Sequence, residues 1–363
     1  MKIAILGNLA QKITRNALGG TEYFTYSLVS ELKKREHKVI LYALTDSDVP
    51  VETIGFFDSN ILSKIKTDNL GWVARTSGVL QLGLFRDFLQ HQKEFDFVHV
   101  STVEWYYFLP LIDELVIPHC ITVHSQLLDY PTLEILAKRY PQTRLIFISE
   151  KQKRLFPEFK YNQVIYNGID VDKYDFNREP QNYISWLGRI IDYKGVEFLP
   201  KIASELPYEV RFGGGNMEST FFQEKIKPYL DQKNLLFLGP LNFEQKNDLF
   251  KNAKVMVNPI QWDEPFGLVV PEANACGTPV VAFARGSMPE LIKDGINGFL
   301  VKPDDLEEMV KVVKAIFEMP ENKYLKLREN CRKHVEDNFT IQKMTEGYEK
   351  VYKKALEDWR EEK

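Results

Sequence analysis

Two glutamates, Glu264 and Glu272, flank seven residues in the stretch EPFGLVVPEANACGTP, residues 264–279. Pro271 is expected where a helix starts, because its missing N–H is an orphan there anyway. Glu272 then falls in the first helical turn, beside free backbone N–H groups and the positive end of the helix dipole. Gly277 and Pro279 end that helix, since glycine is favoured just past a helix end and proline cannot continue it. A strand, Val280 to Ala284, should follow. One carboxylate is thus expected in a loop and one on a helix tip, with Gly267 letting a ligand approach the backbone. Backbone N–H groups hold phosphate and carboxylates accept from hydroxyls, so the pattern suits a ligand with an anion and several hydroxyls. The spacing alone equally fits two solvated glutamates around a buried segment; the surrounding Pro-Phe-Gly, helix start and Gly-Thr-Pro exit make it specific.

A second group of residues points to the same chemistry. In Trp186-Leu-Gly188-Arg189-Ile-Ile-Asp-Tyr-Lys194-Gly195 a strand ends in Gly188, and Arg189 and Lys194 sit five apart around a turn. Two cations there neutralise a diphosphate, most usefully as a bond to it breaks and charge builds on the leaving group. Arginine offers a planar fork and lysine a point charge. Gly19 and Gly20 open a helix some ten residues after the first strand, with no G-x-G-x-x-G, which argues against a plain dinucleotide site. They either present bare N–H groups to an anion or form an ordinary turn. His124 ends an apolar strand, as a cleft residue or as an edge histidine with one hydrogen bond. Gly213–Gly215 and Gly239 follow strands in the second half and read as strand-to-helix turns. The acidic triplet Asp46-Ser47-Asp48 reads as solvated, and with Arg189 and Lys194 supplying positive charge no metal is expected.

The stretch 264–279 resembles the signature of family 4 glycosyltransferases, retaining enzymes of the GT-B fold. The likeness continues through Arg285-Gly-Ser-Met-Pro-Glu290 and Asp294-Gly-Ile-Asn-Gly-Phe-Leu300. It extends over most of the chain, strongly in the second half and loosely in the first. The resemblance implies an α/β protein with two Rossmann-like domains facing across a cleft. It implies that Arg189 and Lys194 bind the donor pyrophosphate, that Gly19 and Gly20 lie near the diphosphate and the acceptor, and that His124 touches the transferred sugar. Loops at Gly213–Gly215 and Gly239 would line the nucleotide base, and Gly188 belongs with them on the donor side. Glu272 would hold the ribose, and Glu264 with the N–H groups around Phe266, Gly267 and Leu268 would hold the sugar and a phosphate oxygen. The family commonly has a histidine or polar aromatic where this chain has Ser101, which leaves the acceptor side open. The expected reaction moves a hexose from a nucleotide diphosphate sugar, UDP favoured over GDP, to a hydroxyl of a glycan, a lipid-linked sugar or a small molecule. It needs no cofactor, the nucleotide-sugar being the donor substrate. The alternatives are a UDP-sugar 2-epimerase of GT-B fold and a non-catalytic nucleotide-sugar-binding protein. The triplet at 46–48 also matches the metal-binding mark of the other glycosyltransferase fold, GT-A, but sits in a loop after the second strand.

These residues need rigid elements behind them. The 363 residues suggest two domains with ample length for two cores. Hydrophobic content is 44% and net charge −4, so no global pull toward nucleic acid follows. Three cysteines, Cys120, Cys276 and Cys331, give no disulfide framework or metal pattern, and a reducing, cytoplasmic setting is expected. Met1–Gly7 reads as a buried strand rather than a leader, and no apolar run is long enough to span a membrane. Strands are expected at 2–8, 38–44, 97–100, 120–124, 144–149 and 164–166, with a helix over 20–35. The second half repeats the plan at 183–187, 209–212, 235–238, 255–258, 280–284 and 299–301. Strands alternating with helices imply parallel sheets. The expected division is 1–170 for the acceptor and 171–340 for the donor. The last helix, carrying Met344, Tyr348, Val351 and Tyr352 on one face, is implied to pack back on the first domain. The amphipathic segment 70–89, with Trp72, Val73, Leu80, Leu82, Leu84 and Phe85, is expected to pack on its own sheet. A weak contact with the inner face of a membrane is the secondary expectation there.

Overall fold

The structure is a computed structural model. It describes every residue except 18, 65–69, 126–127 and 362–363, and all side chains save those and 62–63 and 70–74. The chain divides into two compact units, Met1–Gly168 with Ile341–Lys363, and Ile169–Thr340.

Unit 1 alternates strands and helices: β1 (Lys2–Gly7), α1 (Gly20–Lys34), β2 (Lys38–Tyr42), β3 (Glu52–Ile54), α2 (Ser59–Ser63), α3 (Leu70–His91), β4 (Phe97–Ser101), β5 (His119–Val123), α4 (Tyr130–Arg139), β6 (Arg144–Phe147), α5 (Glu150–Arg154) and β7 (Tyr161–Val164). Its sheet is parallel in the order β3-β2-β1-β4-β5-β6-β7. Strands such as KIAILG and FVHVS are buried almost throughout, because helices cover both faces of a parallel sheet. One face is packed by α3 through Leu84, Phe85, Phe88 and Leu89.

Unit 2 repeats the pattern: β8 (Tyr183–Leu187), α6 (Leu199–Glu205), β9 (Glu209–Gly213), β10 (Leu235–Phe237), α7 (Phe243–Lys251), β11 (Val255–Asn258), α8 (Val269–Ala275), β12 (Val280–Phe283), α9 (Met288–Leu291), β13 (Gly298–Val301), α10 (Leu306–Phe317) and α11 (Glu321–Asn338). Its parallel order is β10-β9-β8-β11-β12-β13. The final helix, α12 (Ile341–Glu361), returns to unit 1. Its Met344, Tyr348, Val351 and Tyr352 pack with Ile3, Ile5, Phe24 and Leu28 on the sheet face that α3 does not cover.

Several elements differ from the sequence expectation. β3 is absent from it, because three residues reading Glu-Thr-Ile carry no periodic signal. β7 lies at Tyr161–Val164 rather than 164–166, its register set by pairing of Arg144 with Tyr161. α8 starts at Val269, ahead of Pro271, because Gly267 turns the chain at φ +86° and Leu268 is already helical. On α3, Val79 and Leu82 are exposed while Gln81 is buried. The side chains of Trp72 and Val73 lie outside the described residues.

Candidate active site

In an open α/β sheet the loops leaving two neighbouring strands diverge where the strand order reverses, and ligands bind there, beyond the carboxyl ends. In unit 2 that point lies between β8 and β11. The loop after β8 carries Gly188, Arg189 and Lys194; the loop after β11 runs from Pro259 into α8 and carries Glu264, with Glu272 on α8 itself. The two motifs, some seventy residues apart in sequence, therefore flank one crevice. They touch at Gly195, whose φ is +74° and where a Cβ would collide with the Pro259 carbonyl. The edge continues outward: Gly188 N donates to Gly213 O (3.2 Å), and Gly214 N donates to Gly239 O (2.9 Å).

Both glutamates are engaged by lysines. Lys194 Nζ donates to Glu264 Oε2, and Trp262 Nε1 donates to the same oxygen at 3.0 Å. The Lys194 ammonium also lies 5.1 Å from the centre of the Trp262 ring, a cation–π contact. Lys246 Nζ donates to Glu272 Oε1 at 2.5 Å, and the Tyr174 hydroxyl donates to that oxygen at 3.0 Å. Each carboxylate so keeps one oxygen without a bond among the described residues. Arg189 is exposed and has no ion pair among the described residues. Phe266 is a core residue, its carbonyl taken by Ser287 Oγ, while Gly267 and Leu268 beside it are half-buried. The N–H groups of Gly267 and Leu268 make no hydrogen bond among the described residues. Lys246, Tyr174 and Trp262 were not expected from sequence; only Trp262, two residues before Glu264, carried any signal of its place.

Unit 1 reverses its strand order between β1 and β4. Gly19 precedes α1 there, and a Cβ on it would meet the Glu22 carboxylate. Glu22 is buried and accepts from Asn8 Nδ2 at 2.7 Å, so a carboxylate sits beside Gly19. Gly20 is the exposed first residue of α1. His124, just past β5, is buried, with Nε2 3.0 Å from Ser101 Oγ and its ring edge-on to Phe24. Burial pushes it down to about 3, so it is neutral. His99 lies deeper, between Tyr352 OH and Thr122 Oγ1, each at 2.7 Å, and is likewise held down near 3 by burial. Asp46 accepts from Ser59 N and Ser59 Oγ, which lowers its pKa and ties it to the first residue of α2. Among the described residues no group of three or more His, Cys, Asp or Glu is placed to hold a metal.

Two parallel Rossmann-like units, each with polar residues at its reversal point, define the GT-B class of α/β proteins. Solved structures agree: sucrose-phosphate synthase from Thermosynechococcus elongatus superposes with a TM-score of 0.76 at 19% identity, covering 99% of this chain and 100% of that one. Anabaena HepE, solved with UDP, gives 0.77 at 18% identity over 98% and 100%. Two family models match, Glycosyltransferase Family 4 over 18–173 and Glycosyl transferases group 1 over 171–334. The chain belongs to the family 4-type glycosyltransferases. Among curated relatives, an uncharacterized glycosyltransferase of Methanocaldococcus jannaschii is 28% identical over 55% of this chain and 56% of its own. The D-inositol 3-phosphate glycosyltransferase of Mycolicibacterium smegmatis is 30% identical over 43% and 39%. The matches span between 38% and 70% of the length of these curated relatives, about half for the first of them. No helix among the described residues is long and apolar enough to cross a membrane.

Proposed function

We propose that the protein transfers a hexose from a nucleotide diphosphate sugar, UDP-linked by preference, to a hydroxyl acceptor with retention at the anomeric carbon. The observation that carries this reading is the Lys194–Glu264–Trp262 cluster, which joins the β8 and β11 loops at the reversal point of unit 2, with exposed Arg189 on the same β8 loop. Arg189 and Lys194 stabilise the departing diphosphate, a gain that grows as charge develops. The free oxygen of Glu264 accepts from the sugar, and the free oxygen of Glu272 accepts from the ribose. The N–H groups of Gly267 and Leu268 hold a phosphate oxygen. Gly188 and Gly239 let the nucleotide approach the backbone of unit 2. Gly19, Gly20 and His124 serve the acceptor and the transferred sugar from unit 1, where neutral His124 offers a hydrogen bond and no charge. Two cations on the diphosphate make a divalent ion unnecessary. UDP bound to Anabaena HepE and UDP-glucose bound to the same protein support the choice of donor.

The test is calorimetric binding of UDP, GDP, ADP and dTDP and their common sugars, with EDTA and with Mg²⁺. One nucleotide should bind equally in both, and Glu272→Ala should abolish it. Lys194→Ala should lower turnover about 100-fold or more while changing donor affinity far less. Turnover near wild type in that variant would remove the leaving-group role.

A further inference from the structure

Arg328 and Arg332 stand one turn apart on α11, and Arg328 is completely buried. A buried cation normally has a carboxylate partner. Arg328 has none among the described residues. Its Nε donates to Asn177 O (2.8 Å), Nη1 to Ala253 O (3.1 Å), Tyr324 OH (3.1 Å) and Thr278 Oγ1 (3.4 Å), and Nη2 to Lys251 O and Cys276 O (both 3.0 Å). Arg332 Nη1 donates to Tyr174 O (2.7 Å) and Ala275 O (2.9 Å). Lys251 and Ala275 are the last residues of α7 and α8. Carbonyls at a helix end have no internal partner and carry the negative end of the dipole, so two helix ends supply what a carboxylate would. Only the arginine fork, with five donors in one plane, reaches so many at once.

The tied segments are those that deliver the Glu272 cluster. α7 brings Lys246, α8 brings Glu272, and the segment 171–177 brings Tyr174. We propose that Arg328 and Arg332 are positioning residues that fix the Lys246–Glu272–Tyr174 cluster, and through it the nucleotide end of the donor, by clamping all three segments from behind. The proposal rests on reading Glu272 as a donor-binding carboxylate.

Two measurements on the full chain test it. The first needs no ligand: a double-mutant cycle of Lys246→Met and Glu272→Gln, read as unfolding stability, in wild-type and Arg332→Gln backgrounds. The coupling should fall by half or more in Arg332→Gln. The second is calorimetric affinity for the nucleoside diphosphate that wild type binds. Arg332→Gln should weaken it about tenfold, with partial recovery in Arg332→Lys, and Arg328→Met should weaken it further. Asn234→Ala is the control, because Asn234 Nδ2 bonds the Ala203 and Leu206 carbonyls in the same unit without touching the cluster. It should lower the melting temperature yet keep affinity within about twofold. A lowered melting temperature with wild-type affinity in Arg332→Gln, or an unchanged coupling, overturns the clamp. Arg332→Gln decides this even where Arg328→Met does not fold, since Arg332 is partly exposed. If wild type binds no nucleotide, the proposed function fails, and the coupling alone decides the clamp.

Discussion

At the scale of single residues, burial decides what a titratable group does. His99 and His124 are pushed down to about 3 and His119 to about 4, each mainly by desolvation. Their folded pKa lies below the unfolded value, so the unfolded chain binds more protons on acidification. Stability should therefore be flat above about pH 6.5 and fall below it, until the folded groups themselves titrate. At pH 5 each of His99 and His124 should cost about 2 kcal/mol relative to neutral pH. Denaturant unfolding at pH 7 and pH 5 checks this, and His99→Gln should shrink the difference by roughly a third. An unchanged difference would mean that the carboxylates, not the histidines, set the acid limit. The same scale shows what the sequence displays of the candidate site. Gly188, Arg189, Lys194, Glu264 and Glu272 stand in contiguous motifs, so local spacing displays them. Lys246 and Tyr174 reach Glu272 from twenty-six and ninety-eight residues away, and no spacing rule connects them. Nothing in the sequence singles out Arg328 and Arg332; their place is set by the ends of α7 and α8 packed against them.

At the scale of elements, glycines fix the loops that bear the motifs. Gly195 and Gly239 both have positive φ, +74° and +72°, but differ in surroundings. A Cβ at Gly195 would strike the Pro259 carbonyl, whereas among the described residues nothing lies within contact of one at Gly239. Gly239→Ala should cost only the left-handed penalty, roughly 1–2 kcal/mol. Gly195→Ala should cost more, roughly 3 kcal/mol, and also weaken nucleotide binding by pushing the β8 and β11 loops apart. Urea unfolding of both variants, with nucleotide titration, separates the two effects. Equal losses would mean that the loops do not bear on one another at Gly195. Long, strongly patterned elements such as β1, α1 and α12 are legible from period alone. The edges are less so: three-residue β3 has no pattern, and the start of α8 depends on a turn at Gly267 rather than on Pro271.

At the scale of the molecule, the chain visits unit 1, then unit 2, then unit 1 again. Unit 2 is one continuous segment, but unit 1 lacks α12 until Ile341 onward is in place. That helix buries Ile341, Met344, Tyr348, Val351 and Tyr352 against the sheet face that α1 also packs. At about 1.5–3 kcal/mol for each large apolar side chain, these supply roughly 8–15 kcal/mol, comparable to the whole stability of a typical domain of roughly 5–15 kcal/mol. The Tyr348 and Tyr352 hydroxyls also satisfy Thr122 and His99, which would otherwise be left short of a partner inside unit 1. A chain ending at Thr340 should therefore keep a cooperative unfolding transition from unit 2 and lose that of unit 1. Residues 169–340 alone should melt as one unit and, on the proposed function, still bind the nucleotide. Hydrogen exchange of the shortened chain reads both units at once: amides of β1, β4 and β5 should exchange freely while those of β8, β11 and β12 stay protected. Protection retained in β1 and β4 would show that α1 and the sheet hold unit 1 together without the returning helix, and that α12 serves something other than stability.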